Sequence, residues 1–162
     1  MSKTLTETAI WQALEAVKDP EIPVVSVVEM GIVRDVIVSE ERVIVKMTPT
    51  FSGCPALDVI RHEIAECVRQ LGVADVQVET VLYPPWTTDW LSEETRARLK
   101  AFGLAPPPQQ DGPIPLTLYL PVSCPYCDSA DTVLKNSFGS TLCRAIYYCQ
   151  SCQQPFEQFK AL

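Results

Sequence analysis

Near its C-terminal end the chain carries Cys124-Pro125-Tyr126-Cys127, and then, after the twenty-one residues 128–148, Cys149-Gln150-Ser151-Cys152. No other feature restricts the fold as much. Each Cys-x-x-Cys turn aims two sulfurs at one point and leaves backbone N–H groups to bond them. Two such turns make four thiolates, the donor set of a tetrahedral zinc site. The apolar segments 132–138 (TVLKNSF) and 141–148 (TLCRAIYY) suit a pair of strands that brings the two knuckles together. A fragment this short has too little core to fold on apolar burial alone, so metal binding supplies folding free energy. The spacing predicts one structural zinc per chain on Cys124, Cys127, Cys149 and Cys152, within a zinc ribbon over residues 116–162. Iron is chemically allowed in the same four-thiolate site. A redox dithiol is the weaker alternative, because such a pair opens a helix in a βαβ setting that this segment lacks. Cys143 is either a small apolar residue on a ribbon strand or an alternative ligand.

The remaining residues are long enough for one modest domain. Of 162 residues, 47% are hydrophobic, so a buried core is affordable. The formal charge is −7, and residues 116–162 contribute nothing to it: Asp128, Asp131 and Glu157 balance Lys135, Arg144 and Lys160. An acidic chain with a neutral ribbon gains no counterion release on a polyanion, which argues against a nucleic-acid-binding zinc ribbon. No apolar run reaches 18 residues, so no membrane span is expected. The N-terminal MSKTLTETAIW has no signal-peptide pattern, and with paired cysteines reading as metal ligands the expected location is cytoplasmic.

Periodicity orders the first part of the chain. Ile10, Trp11, Leu14 and Val17 make one stripe of a helix over 6–18, with Thr6 as cap, and Asp19-Pro20 stops it. Residues 32–38 and 43–48 are β-rich, with a hairpin turn at 39–42. A helix follows over about 56–71, with Leu57, Ile60, Ile64, Cys67, Val68 and Leu71 on one face and Gly72 as C-cap. Residues 75–82 alternate as a third strand, and Ser92 caps a last helix that ends near Gly103. The expected fold is α+β: a small α-β-β-α-β-α domain over 1–104 with a mixed sheet of three or more strands, followed by the ribbon. Residues 105–115 (APPPQQDGPIP) hold five of the fourteen prolines and read as a stiff linker at the domain boundary.

Cys54 lies between Gly53 and Pro55, just before the second helix. A thiol there meets the positive end of a helix dipole, which favours the thiolate and makes it a better metal ligand or nucleophile. Thr48, Thr50 and Ser52 place hydroxyls nearby. A buried structural cysteine is the competing reading. Asp19 and Glu21 are read either as turn chemistry or, with Glu29, as site acids. His62, the only histidine, falls off the apolar face beside Glu63. With one histidine and no nucleophile motif, a triad cannot be assembled, so an enzyme using Cys54 as nucleophile would depend on His62 as its base.

Asp19-Pro20-Glu21-Ile22, Glu29-Met30-Gly31-Ile32-Val33 and Thr50-x-x-x-Cys54-Pro55 together resemble the signature of a widespread family of small iron–sulfur maturation proteins. That family includes the SufT proteins and a component of the eukaryotic cytosolic iron–sulfur targeting complex. Ser52 departs from it where the family often has proline. Trp86-Thr87-Thr88-Asp89-Trp90, Phe138-Gly139-Ser140-Thr141-x-Cys143 and Pro155-Phe156-x-x-Phe159-Lys160 extend the resemblance to the PaaD family of bacterial phenylacetate degradation. The resemblance implies an accessory role beside the multicomponent phenylacetyl-CoA epoxidase. It implies help in building or repairing metal centres, foremost that of the reductase with its [2Fe–2S] cluster and flavin. On that reading Cys54 handles transient iron or an iron–sulfur cluster, across a homodimer in one arrangement. Thr50, Asp19, Glu21 and Glu29 shape the site, and the ribbon docks the client. The chain lacks the paired Glu and Glu-x-x-His helices of a di-iron oxygenase and any dinucleotide fingerprint, which agrees with a non-catalytic component.

Overall fold

The computed structural model describes residues 5–40, 42–107, 109 and 122–161. They form two compact units, Met1–Trp86 and Thr87–Leu162.

In the first unit, α1 (Glu7–Leu14) starts at Thr6, whose hydroxyl accepts the Ala9 N–H at 3.2 Å. It is shorter than the stripe suggests. After Leu14 the chain tightens into i→i+3 turns, with the Ala16 N–H on Ala13 O at 3.0 Å and the Val17 N–H on Leu14 O at 3.1 Å, before it reaches Asp19-Pro20. Val17 stays buried all the same. Next come β1 (Val33–Val38) and β2 (Arg42–Met47), which pair antiparallel. Ser39 closes their hairpin with an N–H to Arg42 O bond of 2.9 Å; Glu41 lies outside the described residues. Then α2 (Leu57–Arg69) crosses over to β3 (Asp75–Thr80), which pairs parallel with β2, so the sheet is mixed with order β1-β2-β3. Val43, Val45 and Met47 alternate inward along β2, and with Ile10, Leu14, Ile60, Ile64 and Val68 of the helices they supply the core. Burying each such side chain is worth about 1.5–3 kcal/mol. Gly72 caps the end of α2 at φ 92°, as its position predicts. Leu71 departs from expectation. The helix ends at Arg69, so Leu71 leaves the buried stripe and is 40% exposed.

The second unit begins with a 3-10 turn at Thr88–Trp90. It continues with α3 (Glu93–Ala101), whose Ser92 hydroxyl accepts the Thr95 N–H at 3.1 Å. The strand β4 (Leu104–Ala105) follows, then β5 (Thr132–Asn136), β6 (Arg144–Cys149) and β7 (Pro155–Phe159), in sheet order β4-β7-β6-β5. The ribbon core is Ala105, Val122, Cys124, Ala145, Tyr147, Cys149 and Phe156, with Tyr147 and Phe156 stacked at 5.7 Å.

Here the organisation differs from the sequence expectation. The proline content places a boundary at 105–115, yet the compact units divide between Trp86 and Thr87. Leu104 and Ala105 pair in parallel with Glu157 and Gln158, so the start of the expected linker is a strand of the ribbon sheet. Pro107 is held too: the buried Arg96 guanidinium donates to its carbonyl. Residues 108 and 110–115 of that linker, and 116–121 of the expected ribbon, lie outside the described residues. Among the described residues no helix is long and apolar enough to cross a membrane.

Candidate metal centre and the Cys54 loop

The two knuckles are built alike. The Cys124 N–H donates to Ser129 O and the Cys149 N–H to Gln154 O, both at 2.9 Å, and Asp128 and Gln153 each take φ 61°. The chain thus turns back five residues after the first cysteine of each pair. The second knuckle is tied across to the first by the Gln150 N–H on Asp131 O at 2.9 Å and by the Ser129 and Ser151 hydroxyls at 2.7 Å. The antiparallel pairing of β5 with β6 positions them, with Thr132 opposite Cys149.

Cys124 and Cys149 are buried, Cys152 is half-buried and Cys127 is exposed. Their four sulfurs lie within 4.8 Å of one another, with Cys124 to Cys152 at 3.7 Å and Cys127 to Cys149 at 3.6 Å. A tetrahedron with zinc–sulfur bonds of 2.3 Å needs edges of about 3.8 Å. The N–H of Cys152 pulls the Cys149 thiol down to about 7 against the effect of its burial, and the Ser151 N–H adds to this. Burial, reinforced by the other three thiols, pushes Cys152 up to about 12. Cys149 is thus the thiol disposed to ionise, while Cys152 beside it resists a charge that a divalent cation would neutralise. Donor type, spacing and N–H bonds all fit a tetrahedral thiolate metal.

Cys143 requires a correction as an alternative ligand. It precedes β6 while Cys149 closes it, six residues or about 20 Å along a strand. Its sulfur lies 3.0 Å from the Thr141 hydroxyl, and its carbonyl accepts the Lys160 N–H at 2.9 Å.

In the first unit, Cys54 sits on the loop joining β2 to α2, beyond the C-terminal ends of the parallel strands β2 and β3. Its N–H donates to Phe51 O at 3.0 Å and its carbonyl accepts the Leu57 N–H at 3.2 Å. It is half-buried, three residues ahead of α2, and no disulfide joins any of the seven cysteines. Thr50 is half-buried on the same loop. Thr48 is buried, with its N–H on Ile32 O at 2.8 Å and no partner for its hydroxyl among the described residues. Gly53 passes close to the Phe51 ring, which a Cβ would meet at 3.0 Å.

The acids are engaged in holding backbone. Asp19 Oδ1 accepts the N–H groups of Glu21 and Ile22 at 2.8 and 2.9 Å, closing the turn after α1. Glu29 and Ser26 bond reciprocally. The Ser26 N–H donates to Glu29 Oε2 at 2.8 Å and the Glu29 N–H to Ser26 Oγ at 3.0 Å, while the Ser26 hydroxyl donates to Glu15 at 2.9 Å. The reciprocal pair closes the turn over residues 26–30. Glu21 is half-buried. Among the described residues, Cys54, Asp19, Glu21 and Glu29 do not form a metal-ligating group; the four ribbon cysteines do. His62 is exposed on α2, as its register predicts. Arg144 and Glu157 form an ion pair within the second unit. Arg144 is 8% exposed and donates to Glu157 Oε2 at 2.9 Å across neighbouring strands. Only strand register pairs them, and sequence spacing carries no sign of it.

Residues 7–80 match the iron–sulfur cluster assembly protein family, and residues 115–160 match the PaaD zinc beta ribbon domain. An Escherichia coli (strain K12) protein, provisionally named as the D component of 1,2-phenylacetyl-CoA epoxidase, is 41% identical over 155 residues, 94% of this chain and 92% of that protein. The Fe–S protein maturation auxiliary factor YitW of Bacillus subtilis (strain 168) is 38% identical over 101 residues, 61% of this chain and 97% of that protein. Among solved structures, a conserved hypothetical protein from Thermotoga maritima superposes with a TM-score of 0.54 at 35% identity, covering 64% of this chain and 99% of that one. A domain of unknown function from Bacillus anthracis gives 0.53 at 31% identity, covering 57% and 90%. With near full-length similarity to that epoxidase component and a knuckle pair whose geometry matches the ribbon half, the chain belongs to the PaaD family, an iron–sulfur assembly domain joined to a zinc ribbon.

Proposed function

We infer that this chain is an accessory factor, not catalytic by itself, for the multicomponent phenylacetyl-CoA epoxidase of phenylacetate catabolism. It assists assembly, delivery or repair of an iron–sulfur cluster or of iron, with the [2Fe–2S] flavin reductase as client. One observation carries this reading: 94% of the chain resembles an epoxidase component, while 101 of its residues resemble an iron–sulfur maturation factor and residues 7–80 match the iron–sulfur assembly family. Cys54 is the thiol of that unit which takes the iron cargo. Its half-buried place on a loop outside any four-ligand group suits temporary holding. One thiol cannot saturate a cluster, so the cargo is shared with the client or across a homodimer. Asp19 and Glu29 hold the backbone around the first turns, and Glu21 and Thr50 line the same unit's loops. Cys124, Cys127, Cys149 and Cys152 hold one zinc. Zinc has no redox chemistry and serves there to fold the ribbon. A nucleophilic enzyme has no supporting observation, since its base would be the exposed His62.

The test is Cys54→Ser. Serine is nearly isosteric but a poor ligand for soft iron at neutral pH. The variant should keep its fold and zinc yet fail to support phenylacetyl-CoA epoxidation in cells, and reductase already holding its cluster should restore activity in an extract. Normal growth on phenylacetate would make Cys54 structural. Loss that matured reductase cannot rescue would point to another client. His62→Ala should have little effect.

A further inference from the structure

The four thiols of the ribbon are not equally placed. Cys124 and Cys149 are fully buried in the ribbon core, whereas Cys127 is exposed. Tyr126 beside it is half exposed as well, so solvent reaches one donor of the metal centre directly. The Cys127 sulfur stands 3.6 Å from that of Cys149 on the other knuckle. Small side-chain rotations would bring two sulfurs at that separation into bonding distance.

The chain holds the two knuckles together through its own hydrogen bonds. The Gln150 N–H donates to Asp131 O at 2.9 Å, its side-chain amide donates to Asp131 Oδ1 at 3.1 Å, and the Ser129 and Ser151 hydroxyls meet at 2.7 Å. Cys149 therefore stays beside Cys127 when the outer sulfur is modified. Coordination to a divalent cation keeps the donors as thiolates, the form that reacts with an electrophile. An accessible thiolate with a second thiolate held behind it suits reversible oxidation.

We propose that the ribbon is a peroxide-sensitive switch, in which Cys127 is the sulfur attacked and Cys149 the sulfur that resolves it. Hydrogen peroxide takes two electrons from the Cys127 thiolate, giving its sulfenic acid and one hydroxide. The Cys149 thiolate then attacks the sulfenic sulfur, forms the Cys127–Cys149 disulfide and expels a second hydroxide. Two solvent protons turn both hydroxides into water. Two of the four donors are consumed, and Cys124 with Cys152 is too small a set to keep a structural zinc. The folding free energy that the metal supplies is lost with it, so the sheet of β5, β6 and β7 loosens. Met1–Trp86 contains none of these donors and should stay folded. The switch lies wholly in the second unit and does not depend on the role of Cys54.

The test treats the full, zinc-loaded chain with increasing hydrogen peroxide. Released zinc is followed with a chromogenic chelator, and disulfides are mapped by digestion and mass spectrometry. About one zinc per chain should leave as the Cys127–Cys149 disulfide appears, and a reductant with added zinc should restore the site. Cys127→His keeps a zinc donor at an exposed position and removes the oxidisable sulfur, so zinc should leave at least about tenfold more slowly. Cys54→Ser should release zinc at the rate of the unaltered chain. If Cys127→His holds no zinc, the disulfide mapped in the unaltered chain decides the matter. Zinc that stays bound while peroxide oxidises Cys54, a first ribbon disulfide that leaves out Cys127, or release that slows in Cys54→Ser overturns the assignment.

Discussion

Arg96 is the residue that ties the segment before the ribbon into the second unit, and its removal should be costly. Its side chain is 6% exposed. Nη2 donates to Thr88 O at 2.7 Å, Nη1 donates to Pro107 O, and Nε reaches Leu91 O at 3.3 Å. One guanidinium thus satisfies three backbone carbonyls on both sides of α3. Hydrogen bonds to a charged group contribute about 1.5–3 kcal/mol each. Counting the two closer bonds, and allowing water to reach part of what Arg96→Ala uncovers, the loss should be about 3 kcal/mol. A unit this size shifts by about 4–8 °C per kcal/mol, so melting of Thr87–Leu162 should fall by about 12–24 °C. Arg96→Lys keeps the charge and the stem but has a single donor head, so it should lose roughly half as much. Calorimetry of the full chain with metal in excess measures both, and fluorescence of Trp90, which lies in the clamped segment, follows the same transition. A loss below about 1 kcal/mol in Arg96→Ala would mean that water serves these carbonyls equally well, and the clamp argument would fail.

Cys149→Ser should abolish stoichiometric zinc binding and unfold the second unit, whereas Cys143→Ser should retain about one zinc per chain; metal analysis with circular dichroism distinguishes them. A chain ending at Trp86 should fold without metal, while one ending near Leu104 should carry α3 and β4 without the β7 partner of Leu104 and Ala105, and should be more sensitive to proteolysis within 87–104. Gly139→Ala would place a Cβ 2.6 Å from Glu157 Oε1 and 3.0 Å from Arg144 Cβ, so it should cost about 1–3 kcal/mol in denaturant unfolding of the second unit with the metal retained. Unchanged stability there would show that the Phe138–Thr141 loop yields freely.

Features that depend on short spacing and local periodicity are legible in the residues alone. Two residues between cysteines are enough to aim both sulfurs at one point, so the four cysteines that cluster could be named before any fold was known. The stripe Ile60, Ile64, Val68 and the alternation Val43, Val45, Met47 similarly announce a helix and a strand, because 3.6-residue and 2-residue periods are properties of the local backbone. Gly72 could be read as a cap for the same reason. Local signals misled where a nearby residue also serves a distant partner. Prolines 106–108 suggest a linker, yet Leu104 and Ala105 are drawn into a sheet by Glu157 and Gln158, more than fifty residues away. Cys143 lies six residues from a ligand in sequence, and strand extension carries it out of reach. That Asp19 and Glu29 accept backbone N–H groups was likewise visible only in the structure. The pairing of Arg144 with Glu157 and the three carbonyls under Arg96 were decided by tertiary structure alone, since long-range register and burial bring together residues whose separation along the chain carries no signal.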